Sequence, residues 1–387
     1  MDTIQQSVIT LLRSAVTGKS LPLPANFDLE QVRPYIRKHH ILPLVYEGAL
    51  LCGVDSPVMS QLFSGYCKAL QVSEGQMAEL ARVFRAFEEA GIDYMPLKGC
   101  RMKRLYPKPE LRMMGDADVL IRMEQYDRIV PIMESLGFAA LSESDHELPW
   151  QNQGLHLELH KRVIPSYNKD YFRYFGDGWQ LAKEHEGHYY RMTEEDEWIY
   201  LFTHFSKHFR DGGIGCRHVL DLWMYLQAHS QMNENYITGE LKTLGLLEFY
   251  QNVRRLVAYW FEDGPADDVL ELISQYVMAS GSWGEMENRV RSVTVRDQQH
   301  SVLGFSGKLV YMWRILFPPL IALKAKYTIL QKAPWMLPVV WLIRPFYKLL
   351  FEHKSLEKRK REMEVLDNAS LDAHHEMLQK MGIDYRF

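Results

Sequence analysis

The spacing of apolar positions changes twice along the chain. Through residues 1–90 it is helical. Ile4, Val8, Leu11 and Leu12 recur at three- and four-residue intervals, and Asp28 stands where it would cap a helix running through Val32 and Ile36 to the His39-His40 pair. Ser56-Pro57 opens a long stretch whose stripe is Leu62, Leu70, Met77, Leu80 and Phe84, and Gly91 ends it.

From Ile92 the pattern shortens. Ile92–Leu97 reads as a strand, followed by Lys98-Gly99, a helix-like stretch to Tyr106 and the loop Pro107-Lys108-Pro109. Asp116–Ile121 is a second strand, and Tyr126–Leu136 an amphipathic helix stopped by Gly137. Leu155–His160 alternates strictly, as a strand with one apolar and one polar face does. From Thr193 the period is helical again. Glu197–Phe209 and Gly215–His229 are joined at Asp211-Gly212-Gly213, and Leu241–Asp263 and Asp267–Met278 follow. The charge-dense segment His353–Arg361 is expected on a helix as a solvated face. The pattern predicts a mostly helical α+β chain: a helical region over 1–90, a small mixed-sheet core over 91–190 and a helical region over 191–387.

Composition narrows the function classes. The 387 residues are 47% hydrophobic and 24% charged, a globular balance. Lys plus Arg is 45 against 49 for Asp plus Glu, a net charge of −4, which argues against a wholesale basic nucleic-acid binder while leaving room for a local basic patch; no DNA partner is expected. Cys52, Cys67, Cys100 and Cys216 show neither metal-ligand nor redox spacing, which predicts reduced thiols and a cytoplasmic protein. The first residues carry no basic segment before an apolar core, so no signal peptide is expected. The longest apolar run, Ala333–Ile343, holds two prolines and falls short of the roughly 18 residues of a spanning helix.

Chemistry concentrates in the second strand. Residues two apart on a strand share a face, so Asp116 and Asp118 project together while Ala117, Val119 and Ile121 turn inward. Two carboxylates at 4 Å repel by about 4 kcal/mol at an effective dielectric near 20. A cation between them relieves this, and an all-oxygen donor set favours magnesium or manganese. Glu158, on the polar face it shares with His156 and His160, supplies a third acid. Two divalent ions held this way suit in-line phosphoryl or nucleotidyl transfer. Upstream, the Lys98-Gly99 turn offers a cation and backbone N–H groups to triphosphate oxygens. Each part alone is weak. The order strand, Lys-Gly, helix, Asp-x-Asp strand, helix, acidic strand is much more specific.

Leu97-Lys-Gly99, Leu105-Tyr-Pro107, Arg112-Met-Met-Gly-Asp-Ala-Asp118 and Leu157-Glu-Leu-His160 together resemble the signature of the uncharacterised nucleotidyltransferase family, within the DNA polymerase β-like superfamily. His39-His-Ile-Leu-Pro43, His204-Phe-Ser-Lys-His208, Gly213–Arg217 with Asp221, Phe317-Pro-Pro319 and Trp335-Met-Leu-Pro338 extend the likeness over most of the chain. The resemblance implies a nucleotidyltransferase fold, a two-metal site loaded with Mg2+ or Mn2+, and an NTP donor, ATP by preference. Asp116, Asp118 and Glu158 would be the catalytic metal ligands. Lys98 and Gly99 would contact triphosphate, with Arg112 and Gly115 beside the nucleotide. His160, Lys207, His208, Arg217 and Asp221 would face the acceptor. One position departs: the superfamily usually follows its turn glycine with Ser or Gly, whereas Gly99 is followed by Cys100, so Lys98 must compensate for a missing hydroxyl.

Other readings compete. His204 and His208, four apart on one helix face, have zinc-like spacing without the glutamate of a metalloprotease helix. A zinc hydrolase would draw on His156, His160, His204 or His208. Arg217 and Asp221 are also placed for an ordinary intrahelical pair. A catalytically silent nucleotide-binding or interaction module on the same fold is the alternative to an enzyme. The aromatic and basic segment Lys308–Phe351 suits contact with a membrane surface or a polymeric acceptor, although such a stretch more commonly forms a packed helical layer. A small molecule, sugar, peptide, protein side chain or RNA end all fit as acceptor.

Overall fold

The computed structural model describes residues 1–282, 284–299, 307–318, 320, 323, 327–351, 362–363, 366 and 368–385. It is 64% helical with one seven-stranded mixed sheet, as the α+β reading requires.

Local capping chemistry sets the first helices. Helix α1 (Thr3–Thr17) opens on a capping box between Asp2 and Gln5 and closes on Gly18 at φ 68°. Helix α2 (Leu29–His39) begins where the Asp28 carboxylate accepts from the Glu30 N–H and ends at His40, φ 52°. Helix α3 (Leu42–Leu51) crosses α1 so closely that a Cβ on Gly48 would lie 2.1 Å from the Leu11 carbonyl oxygen. Helix α4 (Val58–Ala90) runs for 33 residues, about 50 Å, to Gly91 at φ 63°. Leu62 and Leu80 of its stripe are buried, but Leu70 is exposed.

The sheet follows: β1 (Tyr94–Pro96), the short α5 (Lys98–Met102), β2 (Ala117–Ile121), α6 (Tyr126–Ser135), β3 (Ala139–Ala140), β4 (Glu147–Gln151), β5 (His156–His160), α7 (Lys169–Phe175), β6 (Lys183–Glu186) and β7 (Tyr189–Arg191). Strand order is β3-β4-β5-β2-β1-β7-β6. The β2–β5 and β1–β7 pairs are parallel and the others antiparallel. The sheet is larger than the three strands legible in the pattern. One face is apolar: Val119, Ile121, Leu148, Trp150, Leu157 and Leu159 pack with Leu80, Val83 and Phe87 of α4 and Ile129 and Met133 of α6. Burying that face leaves the alternate side chains of β2, β4 and β5 on the other.

Helices α8 (Glu194–Gly212), α9 (Cys216–Ala228), α10 (Glu234–Thr243), α11 (Leu247–Phe261) and α12 (Asp268–Ser280) follow. Two boundaries differ from the sequence pattern. Asp211 and Gly212 still belong to α8, because the terminating residue is Gly213, at φ 87°, whose N–H reaches the carbonyls of His208 and Phe209. The stretch expected as one helix from Leu241 to Asp263 is broken at Gly245, φ 68°, into the end of α10 and α11.

The chain divides into two compact units, Met1–Phe209 with Gly213–Trp283, and Arg210–Gly212 with Gly284–Phe387. The second holds α13 (Met286–Gln299), α14 (Gly307–Leu316) and the helices Leu337–Phe351 and Asn368–Lys380, around two small apolar clusters. The segment His353–Arg361 lies outside the described residues. Among the described residues no helix is long and apolar enough to cross a membrane.

Candidate functional site

The polar face of the sheet is assembled by strand register. In the parallel β2–β5 pair Asp118 stands directly beside Glu158, and Leu120 beside His160. In the antiparallel β4–β5 pair Glu147 stands beside His160. Three strands thus carry Asp118, Glu158, His160 and Glu147 onto one surface, while the intervening residues Val119, Leu157, Leu159 and Leu148 fill the core.

Asp118 is the hub. Its Oδ1 accepts from Lys98 Nζ at 3.2 Å and lies 2.8 Å from His160 Nε2. His160 is 1% exposed, and Glu158 lies 3.7 Å from the same Nε2. Burial opposes ionisation of Asp118, but the Lys98 charge and His160 outweigh it and hold the carboxyl far below its ordinary range. Burial likewise opposes a charged His160, yet Asp118 and Glu158 raise its pKa. Ligand atoms of Asp118, Glu158 and His160 all fall within 4.8 Å of one another.

Asp116 precedes β2 and stands outside that group. Its carboxyl is pushed up by burial and by the charges of Asp118 and Glu158, with Lys98 compensating in part. Lys98 opens α5 at φ 36°, a left-handed conformation that costs a residue with a Cβ about 1–2 kcal/mol. Gly99 beside it is closely packed. A Cβ there would meet Arg112 Nη1 at 3.2 Å and Met114 at 3.4 Å.

Helix α8 brings Tyr200, His204, Lys207 and His208 toward this face. Tyr200 is buried beside Lys98, and its hydroxyl has no hydrogen-bond partner among the described residues. Burial and the Lys98 charge keep His204 neutral. His204 and His208 share a 3.0 Å contact between their Nε2 atoms. Neither belongs to a group of three metal-capable side chains among the described residues, and nor does His156. Lys207 acts electrostatically on His146 of the loop before β4.

Arg112, Arg217 and Asp221 gather beside the Gly99 turn and the segment that leads into β2. Arg112 forms a two-pronged ion pair with Asp221, Nε–Oδ1 2.8 Å and Nη2–Oδ2 2.9 Å, and Tyr106 donates to the same Oδ1 at 2.7 Å. Arg217 donates to the Met113 carbonyl at 2.5 Å. Gly115 is exposed in that segment.

Sequence reasoning passed over His146 and Glu147, which with His160 form a second close group. His146 Nε2 lies 2.7 Å from Glu147, whose pKa is brought down to about 2 against the opposing effect of burial by His146, His160 and Lys98. The signal was present: Leu148 and Trp150 alternate with polar residues, but Pro149 between them disguises the strand. Arg101 was also missed. It pairs with Glu197 and donates to the Tyr189 hydroxyl at 2.7 Å, tying α5 to α8 and β7.

The residues fit a divalent cation. The carboxylates Asp118 and Glu158 and the imidazole of His160 bring one ligand atom each within 4.8 Å of one another, with the His160 Nδ1 buried and unpartnered among the described residues. Residues 25–262 match the family described as an uncharacterised nucleotidyltransferase. The match takes in every residue of this face and ends before Phe317 and Trp335, so the likeness does not extend to those two segments. No curated protein and no solved structure matches the chain.

Proposed function

The chain belongs to the uncharacterised nucleotidyltransferase family, and on that premise we propose that it moves a nucleoside monophosphate from an NTP, ATP by preference, to a hydroxyl or phosphate acceptor and releases pyrophosphate. The observation that carries this reading is the register of the parallel β2–β5 pair, which sets Asp118 beside Glu158 under Lys98.

Asp116, Asp118 and Glu158 are assigned to hold Mg2+ or Mn2+, which when bound neutralises charge on the attacking and leaving oxygens. The chain's own groups do the rest. Lys98 is the cation offered to the triphosphate, held ready by Asp118. His160 keeps a proton at Nε2 on Asp118 Oδ1 and so fixes the carboxylate's orientation. Helix α8 covers the polar face, and its Lys207 and His208 are assigned to the acceptor. Arg112, Arg217 and Asp221 act as positioning residues, since their bonds fasten the turn from which Asp116 projects. The four cysteines, all unpaired, agree with a cytoplasmic setting.

The test is titration of the purified chain with ATP, CTP, GTP and UTP in Mg2+ or Mn2+, followed by labelled transfer in lysate. Metal-dependent binding, release of pyrophosphate, and loss of both in the Asp116→Ala/Asp118→Ala variant are expected. Transfer undiminished in that variant overturns the reading. Nucleotide binding that needs metal but never yields pyrophosphate across acceptors assigns the chain to a silent nucleotide-binding module instead.

A further inference from the structure

The first two turns of the helix Leu337–Phe351 carry apolar side chains on two faces. Leu337, Val340 and Trp341 belong to the cluster around Leu323 and Leu330. Val339, Leu342 and Ile343, the adjoining face, are 41%, 70% and 60% exposed. Trp335, just ahead of the helix, is 77% exposed, and Trp313 at the end of α14 is 67% exposed. An apolar face left exposed on a helix marks an interaction site, and exposed tryptophans beside such a face are characteristic of a membrane–water boundary.

The charge pattern identifies what covers this face. From Gln298 to Phe351 the sequence contains no Asp or Glu. At the density of the whole chain, 49 acids in 387 residues, about seven would be expected. The same stretch carries seven Lys and Arg residues, in a chain whose net charge is −4. Apolar and aromatic side chains mixed with unopposed cations complement a surface that is negative outside and hydrocarbon beneath. Arg344 shows how the two coexist: its guanidinium turns back to the Ile315 carbonyl at 2.5 Å, leaving Leu342 and Ile343 outermost. At 15 residues the helix is about 22 Å long, too short to cross a bilayer, so a lipid contact would run along the membrane surface.

We propose that the exposed apolar face formed by Trp335, Leu342 and Ile343 seats the protein peripherally on an anionic lipid surface, with these side chains entering the acyl boundary and the unopposed positive charge of the Gln298–Phe351 sequence giving the preference for anionic lipid. The segment lies outside residues 25–262, so the inference is independent of the nucleotidyl-transfer reading.

Flotation of the full chain with vesicles tests it. Vesicles of 30% phosphatidylserine in phosphatidylcholine should retain the protein at least about ten-fold better than pure phosphatidylcholine, and about 0.5 M NaCl, where the screening length falls to ~4 Å, should remove most of that advantage. A Trp335→Ser/Leu342→Ser/Ile343→Ser variant should lose about ten-fold in vesicle binding while keeping the parent's unfolding midpoint, because all three side chains are exposed. No preference for anionic vesicles overturns the proposal, and so does a variant that floats like the parent. Self-association that the variant abolishes, with no vesicle binding by the parent, assigns the face to a second copy of the chain and also overturns it.

Discussion

Arg112 and Asp221, 109 positions apart, close a two-pronged ion pair inside the protein, and each side chain is about nine-tenths buried. The pair is reinforced by Tyr106, whose hydroxyl donates to Asp221. Removing one member leaves the other charged and desolvated. Asp221→Ala is therefore expected to cost about 3–5 kcal/mol in urea unfolding. Replacing both, as Arg112→Met with Asp221→Leu, should recover much of that loss, because an apolar pair of similar volume has no desolvation to offset.

Asp118 governs the ionisation of His160. Burial alone would lower the imidazole pKa, and the carboxylates Asp118 and Glu158 reverse this. In Asp118→Asn the main opposing interaction is gone, so the His160 pKa should fall below its ordinary 6.5, which an NMR titration of the imidazole reads directly. Nucleotide transfer in the same variant is expected to drop by about 100-fold or more.

Acid should weaken the folded state through β4. In the unfolded chain His146 protonates near 6.5 and Glu147 near 4.5. Folded, burial delays protonation of His146, and Glu147 stays ionised down to about 2. Through these two groups the unfolded chain binds more protons between pH 6.5 and pH 2, and the stability they contribute falls as pH falls. Denaturation midpoints at pH 7, 5 and 3.5 should decline accordingly, with Glu147 accounting for on the order of 3 kcal/mol. Glu147→Gln should flatten the lower part of the curve.

Gly48 permits the α1–α3 crossing. A methyl group there would collide with backbone, the Leu11 carbonyl at 2.1 Å, which cannot rotate away as a side chain could. Gly48→Ala is expected to destabilise by about 3 kcal/mol, measured by thermal unfolding, without altering the carboxylate face.

How much of this could be read in advance depended on periodicity. Asp118, Glu158 and His160 were legible because each alternates with core residues on a clean strand, and the period of two fixes the face. Their cross-strand register was not, since pairing between residues forty positions apart leaves no local trace. Strand β4 was hidden by Pro149, and β6 and β7 by their lack of apolar alternation; all of β6 is exposed. Asp28, Pro57, Gly91 and Asp267 placed helix ends because capping is a local property. Gly245 was passed over within a helical period that its positive φ interrupts. The Arg112–Asp221 pair could not be found by any local rule, because its members take their meaning only from tertiary burial.

The parallel pairing of β1 with β7 has a consequence for biosynthesis. Tyr94 pairs with Tyr189, so the edge of β1 waits for chain made about 95 residues later. At ribosomal rates of about 5–20 residues per second that is roughly 5–20 s of synthesis. Throughout it, the Tyr94 N–H, which meets the His188 carbonyl in the finished sheet, has no strand to meet, and the apolar Tyr94 and Met95 stand at an unfinished border. The nascent protein is then most exposed to misassociation and to capture by chaperones, and the interval closes only as Tyr189–Arg191 emerges.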